Sequence, residues 1–151
     1  MATRIRPTSS LNQNAASQVF DAQDAPVVRY IQMLLARMVN ERASDVHFEP
    51  CSGDFRIRAR IDGVLHEVER PDLVLREQLT VRLKIMGQLD IAEKRIPQDG
   101  RIRLNLGPDR SVDCRISTLP TIFGEKIVVR FLNTQDTSLT LAGLGYEPAQ
   151  L

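Results

Sequence analysis

The fold of this chain is decided by residues 93–132, EKRIPQDGRIRLNLGPDRSVDCRISTLPTIFGEKIVVRFL, which predict three consecutive strands. Asp99-Gly100 opens the first strand, and Gly107-Pro108-Asp109 forms a turn into the second. The second strand is predicted to end at Ser117, before a loop that contains Pro120. Because the connections within this stretch are short, the strands should pair antiparallel.

Apolar and polar side chains alternate along the second and third of these strands, and Gly124 begins the third. Successive side chains of a strand face opposite sides of a sheet. Burying the apolar residues of both strands against one core therefore places Arg115 and Arg130 together on the other face of the sheet. We expect a diagonal offset of about four residues between them, roughly 13 Å along a strand. A face that also bears Arg101 and Arg103 suits an anion.

The residues before this stretch predict the remaining strands of the same sheet and the two helices that cover it. A helix should begin near Ala25, and its apolar stripe is formed by Val27, Ile31, Leu34, Leu35 and Met38. Short strands are then predicted over residues 45–49, 55–61 and 64–68. A second helix should run from Pro71 to about Leu89. The predicted class is α+β: a six-stranded, largely antiparallel sheet with two helices packed on one face, a PAS-like arrangement.

The amino-acid composition and the motifs that are absent exclude several classes of function. The 151 residues are 42% hydrophobic and 26% charged, as in ordinary globular proteins, and the net charge of +1 argues against a broadly basic nucleic-acid-binding surface. Cys51 and Cys114 are far apart and suggest reduced thiols in a cytosolic protein. No GxxxxGK[ST] motif is present, so the chain alone should not hydrolyse ATP.

Five motifs occur in a recognisable order: ASDVHFEP at 43–50, RIDG at 60–63, AEKRIPQDGRI at 92–102, VDCRISTLPT at 112–121 and GEKIVVRFL at 124–132. Over roughly residues 25–145 the chain resembles the second N-terminal domain of the secretion ATPases of type II secretion and type IV pilus assembly. The motifs separate these two branches poorly. The resemblance implies a domain that packs on an ATPase domain, supplies arginines to the ATP phosphates and transmits nucleotide-driven motion.

The resemblance also implies the organisation of the parent protein. Residues 1–24 would be a flexible leader or linker, 25–133 the N-terminal α+β domain, and 134–151 an exit linker toward a C-terminal ATPase domain that carries the P-loop. ATP and Mg²⁺ would be cofactors of the full-length protein, with none expected in the isolated fragment. The full-length protein would be a cytoplasmic homo-hexamer that is peripheral at the inner membrane through secretion or pilus platform proteins, with no nucleic acid as partner.

Site residues are carried over from the family by their motifs. Arg115 and Arg130 align with two arginines that reach toward the nucleotide phosphates, where a guanidinium stabilises charge. The alternative is two solvated strand arginines. Whether they would act on the nucleotide of their own chain or of a neighbour stays open. The RIPQDGR loop would contact the ATPase domain or the nucleotide edge, or would only form a turn; its polar residues are Arg95, Gln98, Asp99 and Arg101.

Two further polar patterns have simpler explanations. The strip formed by Arg56, Arg58 and Arg60 has no aromatic residue between its members to stack on bases. We expect it to be a solvated face, or to pair with acidic residues of a neighbouring subunit. The alternating set of Asp45, His47 and Glu49 suggests structural hydrogen bonding rather than a metal site, because its spacing matches no zinc pattern.

A second function class is a stand-alone PAS-like small-ligand sensor or protein-interaction module, because fold alone does not determine function. A sensor needs an apolar cavity, whereas the apolar stripes of this chain are expected to be used in packing helices on the sheet. The isolated fragment should be monomeric or weakly associated.

Overall fold

A computed structural model describes residues 26–132 and confirms the predicted order of elements. Helix α1 covers residues 26–40 and is followed by strands β1 (Ala43–Cys51), β2 (Asp54–Ile61) and β3 (Val64–Glu69). Helix α2 (Leu73–Met86) leads to strands β4 (Gln98–Gly107), β5 (Arg110–Thr121) and β6 (Gly124–Leu132). The predicted leader 1–24, the start of α1 near Ala25 and the predicted linker 134–151 lie outside the described residues.

The six strands form one sheet in the order β3-β2-β1-β6-β5-β4, and every neighbouring pair is antiparallel. The two three-stranded meanders meet where β1 pairs with β6 at the centre of the sheet. The predicted α+β class with a six-stranded antiparallel sheet and two helices is therefore confirmed. The likeness to PAS domains stays a prediction.

One apolar core lies between the helices and a single face of the sheet. The predicted α1 stripe is buried in full, and α2 adds Leu79 and Leu83. Val46, Phe48, Ile57, Cys114, Ile116, Ile127 and Val129 are among the strand residues that complete it. Burial raises the pKa of the Cys114 thiol to about 12, so it is an inert core residue. Within the described part of the chain, neither helix is long and apolar enough to cross a membrane.

The β5–β6 hairpin differs from its prediction. Strand β5 does not end at Ser117 but continues through Pro120 to Thr121, and a two-residue turn joins it to Gly124. Pro120 is tolerated because β4 pairs with β5 only as far as Thr118, so one edge of β5 is free beyond that point. Gly124 has a φ of +128°, a conformation that side-chain-bearing residues rarely adopt.

Asp99 and Gly100 lie at the start of β4, as predicted. A Cβ atom on Gly100 would lie 2.4 Å from the carbonyl oxygen of Gly87, just beyond the end of α2. Glycine at this position therefore permits the helix end and the strand to approach closely.

Candidate functional site

The sheet face opposite the helices, called the open face below, carries three arginines in one line across three strands. Arg101 of β4 lies directly opposite Arg115 of β5, which in turn lies directly opposite Arg130 of β6. We call these residues the arginine row. The predicted shared face of Arg115 and Arg130 is confirmed, but their predicted offset of four residues is wrong. The two-residue turn brings them into the same register, where directly opposed Cβ atoms are about 5 Å apart.

No side chain of the arginine row has an ion-pair partner within residues 26–132. All three side chains are exposed, and none forms an ion pair or a hydrogen bond with another residue of this part of the chain. The other basic strand residues on the open face each have a carboxylate partner: Arg56, Arg58 and Lys126 contact Glu49, Arg60 contacts Asp45, and Arg103 contacts Asp113.

Glu49, on the central strand β1, pairs with three cations. Its oxygens lie 3.0 Å from Arg56 Nε, 2.8 Å from Arg58 Nη2 and 3.3 Å from Lys126 Nζ. Burial would raise the pKa of this carboxyl group, but the hydrogen bonds from both arginines and the charges of Arg58 and Lys126 lower it to about 2. The sequence suggested that the β2 arginines are solvated or pair with a neighbouring subunit, whereas the structure places carboxylate partners for them one strand away in the same chain.

Asp45, four residues before Glu49 on β1, lies at the end of the arginine row. It is the cross-strand neighbour of Arg130 on one side and of Arg60 on the other. Its carboxylate pairs with Arg60 at 3.5 Å and shares hydrogen bonds with Ser44 and His47. Burial opposes the ionised form, but these hydrogen bonds and the charge of Arg60 together lower the pKa of Asp45.

The structure gives Asp45, His47 and Glu49 the hydrogen-bonding role expected of them. His47 Nε2 is hydrogen-bonded to Asp45, while Glu49 is occupied by basic side chains. Between residues 26 and 132, no His, Cys, Asp or Glu side chains are grouped in a way that could hold a metal ion. The β1 carboxylates therefore neutralise the cations of the neighbouring strands.

Removing the Glu49 charge should make the fold less stable at neutral pH and less sensitive to acid. A carboxyl group whose pKa falls from 4.5 to about 2 on folding stabilises the protein fully above pH 4.5. That stabilisation is lost as the pH falls toward 2. We expect Glu49→Gln to lower the free energy of unfolding by about 3 kcal/mol at pH 7, measured by urea denaturation, with the difference shrinking below pH 4.

The matched control is Glu77→Gln, since the Glu77 side chain is 73% exposed and pairs with the exposed Lys94. This variant should stay within about 0.5 kcal/mol of the wild type at every pH. If Glu49→Gln and the wild type lost stability in parallel on acidification, the role given to Glu49 would be wrong.

The predicted RIPQDGR residues make different contacts in the structure. Arg95 is highly exposed and pairs with Glu93 at 3.3 Å. The Gln98 side chain donates to the carbonyl oxygens of Asp90 and Glu93 and accepts from Asp90 N–H, so it closes the loop before β4. Asp99 accepts a hydrogen bond from Ser117. Of these positions, only that of Arg101 belongs to the arginine row.

Sequence reasoning did not find a buried ion pair on the helix side of the sheet. Lys84 of α2 is 1% exposed and donates to both carboxylate oxygens of Glu125, at 2.9 and 3.1 Å. It also donates to the Glu93 carbonyl oxygen at 2.7 Å. One ammonium group thus joins α2, β6 and the loop before β4. The only sequence signal is that Lys84 follows Leu83 on the buried side of the helix.

The chain matches the model of the type II/IV secretion system protein family over residues 21–151. It is 45% identical over 147 residues to the type IV pilus assembly ATPase PilB of Myxococcus xanthus, covering 97% of this chain and 26% of that protein. It is 48% identical over 128 residues to the type II secretion system protein E of Klebsiella pneumoniae, covering 85% of this chain and 26% of that protein.

A structural comparison finds the ATPase DotB of Legionella pneumophila, with a TM-score of 0.44 and 16% identity over 71% of this chain and 29% of that chain. This chain spans about a quarter of the length of the two curated relatives. The family match covers most of the chain, and both relatives are close in sequence over that part. The chain therefore belongs to the type II/IV secretion system protein family.

Proposed function

We propose that this chain is the N-terminal domain of a hexameric motor ATPase that powers type II secretion or type IV pilus assembly. In this role it packs on the ATPase domain of its own or a neighbouring subunit and supplies Arg115 and Arg130 to the ATP phosphates. The observation that carries the proposal is the placement of these two arginines, which lie directly opposite each other, are exposed and have no ion-pair partner in residues 26–132.

The role of this domain in the reaction would be to stabilise the negative charge of the phosphate groups. ATP with its Mg²⁺ supplies the phosphoryl group that is transferred, and the P-loop domain would hold both. A guanidinium group donates charge-assisted hydrogen bonds to phosphate oxygens and neutralises the charge that develops in the transition state. Two guanidinium groups on adjacent strands would reach one phosphate chain from the same side. Arg101, the third member of the arginine row, and Arg95, which pairs with Glu93, stay weaker proposals for contact with the ATPase domain or the nucleotide edge.

The position of the arginines also suits the transmission of motion. Arg115 and Arg130 lie within the regular pairing of β5 with β6, and β6 pairs in turn with the central strand β1. A force on either guanidinium would therefore act on the whole sheet and the core behind it. We propose that the domain moves as a rigid body when ATP binds or is hydrolysed. In the hexamer, on the cytoplasmic side of the inner membrane, this motion would act on platform proteins.

The alternative of a small-ligand sensor has less support. The apolar cleft between α1 and α2 measures about 260 Å³ and is lined by Pro26, Val27, Tyr30, Leu75, Gln78 and Leu79. Ligand sites commonly have volumes of about 300–1,000 Å³ and place a few polar groups against the ligand. The geometry therefore favours the motor-domain proposal.

A chimera tests this proposal. The chain would replace the corresponding region of the Klebsiella pneumoniae secretion protein, to which it is 48% identical. Deleting that region should lower ATP hydrolysis by about a hundredfold, because the arginines would be lost, and the chimera should recover activity to within about threefold of the native protein. Phosphate release measures both. A chimera no faster than the deletion variant would refute the proposal.

A further inference from the structure

The first turns of the two helices border the apolar cleft described above, on the opposite side of the sheet from the arginine row. Val27 and Leu79, which line it, are 5% and 0% exposed, so the floor of the cleft is the core itself. Tyr30 and Leu75 form half-buried walls. Because apolar surface exposed to water is unfavourable, one more apolar side chain between the helices would stabilise their packing.

The cleft has the size of one aromatic side chain. Its walls are each about 6 Å long, because Pro26 and Tyr30 on α1, like Leu75 and Leu79 on α2, are four residues apart. An apolar cavity of about 150 Å³ is enough to hold a benzene ring. The volume of about 260 Å³ therefore has room for one ring together with the atoms that attach it to a backbone.

The described part of the chain begins at the cleft. Pro26 is both the first described residue and part of the cleft wall, so the residue before it is bonded to the wall itself. Phe20 is the only aromatic residue in the range 1–25. Five residues, DAQDA, separate it from Pro26. Connections of about four to six residues are the commonest in compact domains, so this spacing allows the chain to turn back and bring Phe20 to the cleft.

The other end of the described chain is far from the cleft. Strand β6 ends near the start of β1, since Arg130 is the cross-strand neighbour of Asp45. The start of β1 is three residues beyond the C-terminal end of α1. Pro26 lies at the opposite end of this 15-residue helix, about 21 Å away along its axis. The residues that precede α1 are therefore the ones attached beside the cleft.

From these observations we propose that residues 20–25 turn back over the first turn of α1 and that the Phe20 ring occupies the cleft, against Tyr30, Leu75 and Leu79. Asp21 and Asp24 then lie near the N-terminus of α1, where the helix dipole favours negative charge. The contact holds the preceding chain on the helix side of the sheet. A partner bound to that chain would not compete for the arginine row, and the contact does not depend on the motor role proposed above.

The direct test is nuclear magnetic resonance of the 151-residue chain. Nuclear Overhauser contacts should connect the ring protons of Phe20 with the methyl groups of Leu75 and Leu79. Phe20→Ala should move the methyl resonances of both leucines, because the ring that lies against them is lost. Leu11→Ala is the matched control, since it truncates another apolar side chain of the range 1–25 and should leave both resonances unchanged.

Cleavage by chymotrypsin measures how often the ring is docked, because the protease must take the Phe20 ring into its own hydrophobic slot. Burial of a phenylalanine side chain favours the docked state by about tenfold or more. Leu75→Glu places a charge in the cleft wall and should therefore speed cleavage after Phe20 by about tenfold. Val74→Glu is the matched control and should stay within about twofold of the wild type, since Val74 is 78% exposed and does not line the cleft.

Cleavage after Phe55, which is 1% exposed in the core, reports global unfolding of each variant. The Overhauser contacts are measured on the wild type, so they decide the proposal even if Leu75→Glu weakens the fold. Their absence would overturn it, as would an equal rate of cleavage after Phe20 in Leu75→Glu and Val74→Glu. Contacts that appear only at high protein concentration would show that a second copy fills the cleft, and would also overturn it. None of these results bears on the motor role, which the chimera tests.

Discussion

Arg115→Gln and Arg130→Gln in the chimera should each reduce kcat for ATP hydrolysis by at least about a hundredfold. Arginines that contact the transferred phosphoryl group contribute about 10³ to 10⁵ in other phosphoryl-transfer enzymes, and two residues that share the task should each contribute somewhat less. Both arginines are exposed and lack a partner in the described part of the chain, so neither substitution breaks a contact that stabilises the domain. Steady-state phosphate release at saturating ATP gives kcat.

The double variant distinguishes concerted from independent action. If the two guanidinium groups act as a unit, the double variant should be scarcely slower than either single variant, because groups that act together are strongly non-additive. Arg103→Gln is the control, because it removes an equal charge from the same face at a residue that is paired with Asp113. It should keep kcat within about twofold of the chimera. Retention of more than half the activity in both single variants would remove the phosphate-contact role.

Lys84→Met should destabilise the domain by about 4 kcal/mol. Lys84 is buried, and its loss leaves the Glu125 carboxylate without a cation in a site where that side chain is only 4% exposed. Breaking a buried ion pair from one side costs about 3–5 kcal/mol, because the remaining charge stays desolvated. The loop before β4 also loses its hydrogen bond from Lys84 to Glu93. Urea denaturation of the 151-residue chain measures the free energy of unfolding.

Two further variants show whether the ion pair is the cause. Adding Glu125→Leu to Lys84→Met should restore most of the lost stability, because the unpaired buried charge is then absent. Lys94→Met is the surface control, since Lys94 is 58% exposed and pairs with Glu77 at 3.4 Å, and it should change stability by less than about 0.5 kcal/mol. A Lys84→Met variant as stable as the surface control would contradict the prediction.

The elements with strong periodicity could be predicted from the sequence. The α1 stripe has helical spacing and is buried in full, while the alternation around Cys114 and Ile127 assigned Arg115 and Arg130 to the correct face. These predictions hold because burial of apolar area determines which side of an element faces the core. The role of the two arginines toward phosphate rests on the family resemblance and stays a prediction.

Register and side-chain pairing could not be predicted. Pro120 suggested a loop, yet it lies at the free edge of β5, so the pairing continues and aligns the arginines. The partners of the β2 arginines lie on β1, and their assignment requires knowing that the two strands are neighbours. The Lys84–Glu125 pair joins residues far apart in the chain, and the position of Lys84 beside Leu83 does not identify Glu125 as its partner.

The turn between β5 and β6 has a consequence for the length of this hairpin. A one-residue insertion between Arg115 and Arg130 that no bulge absorbed would rotate every later β6 side chain to the opposite side of the sheet. Arg130 would then point into the apolar core, and Val129 would be exposed to solvent in its place. The number of residues separating the two arginines is thus as much a part of the site as the guanidinium groups themselves.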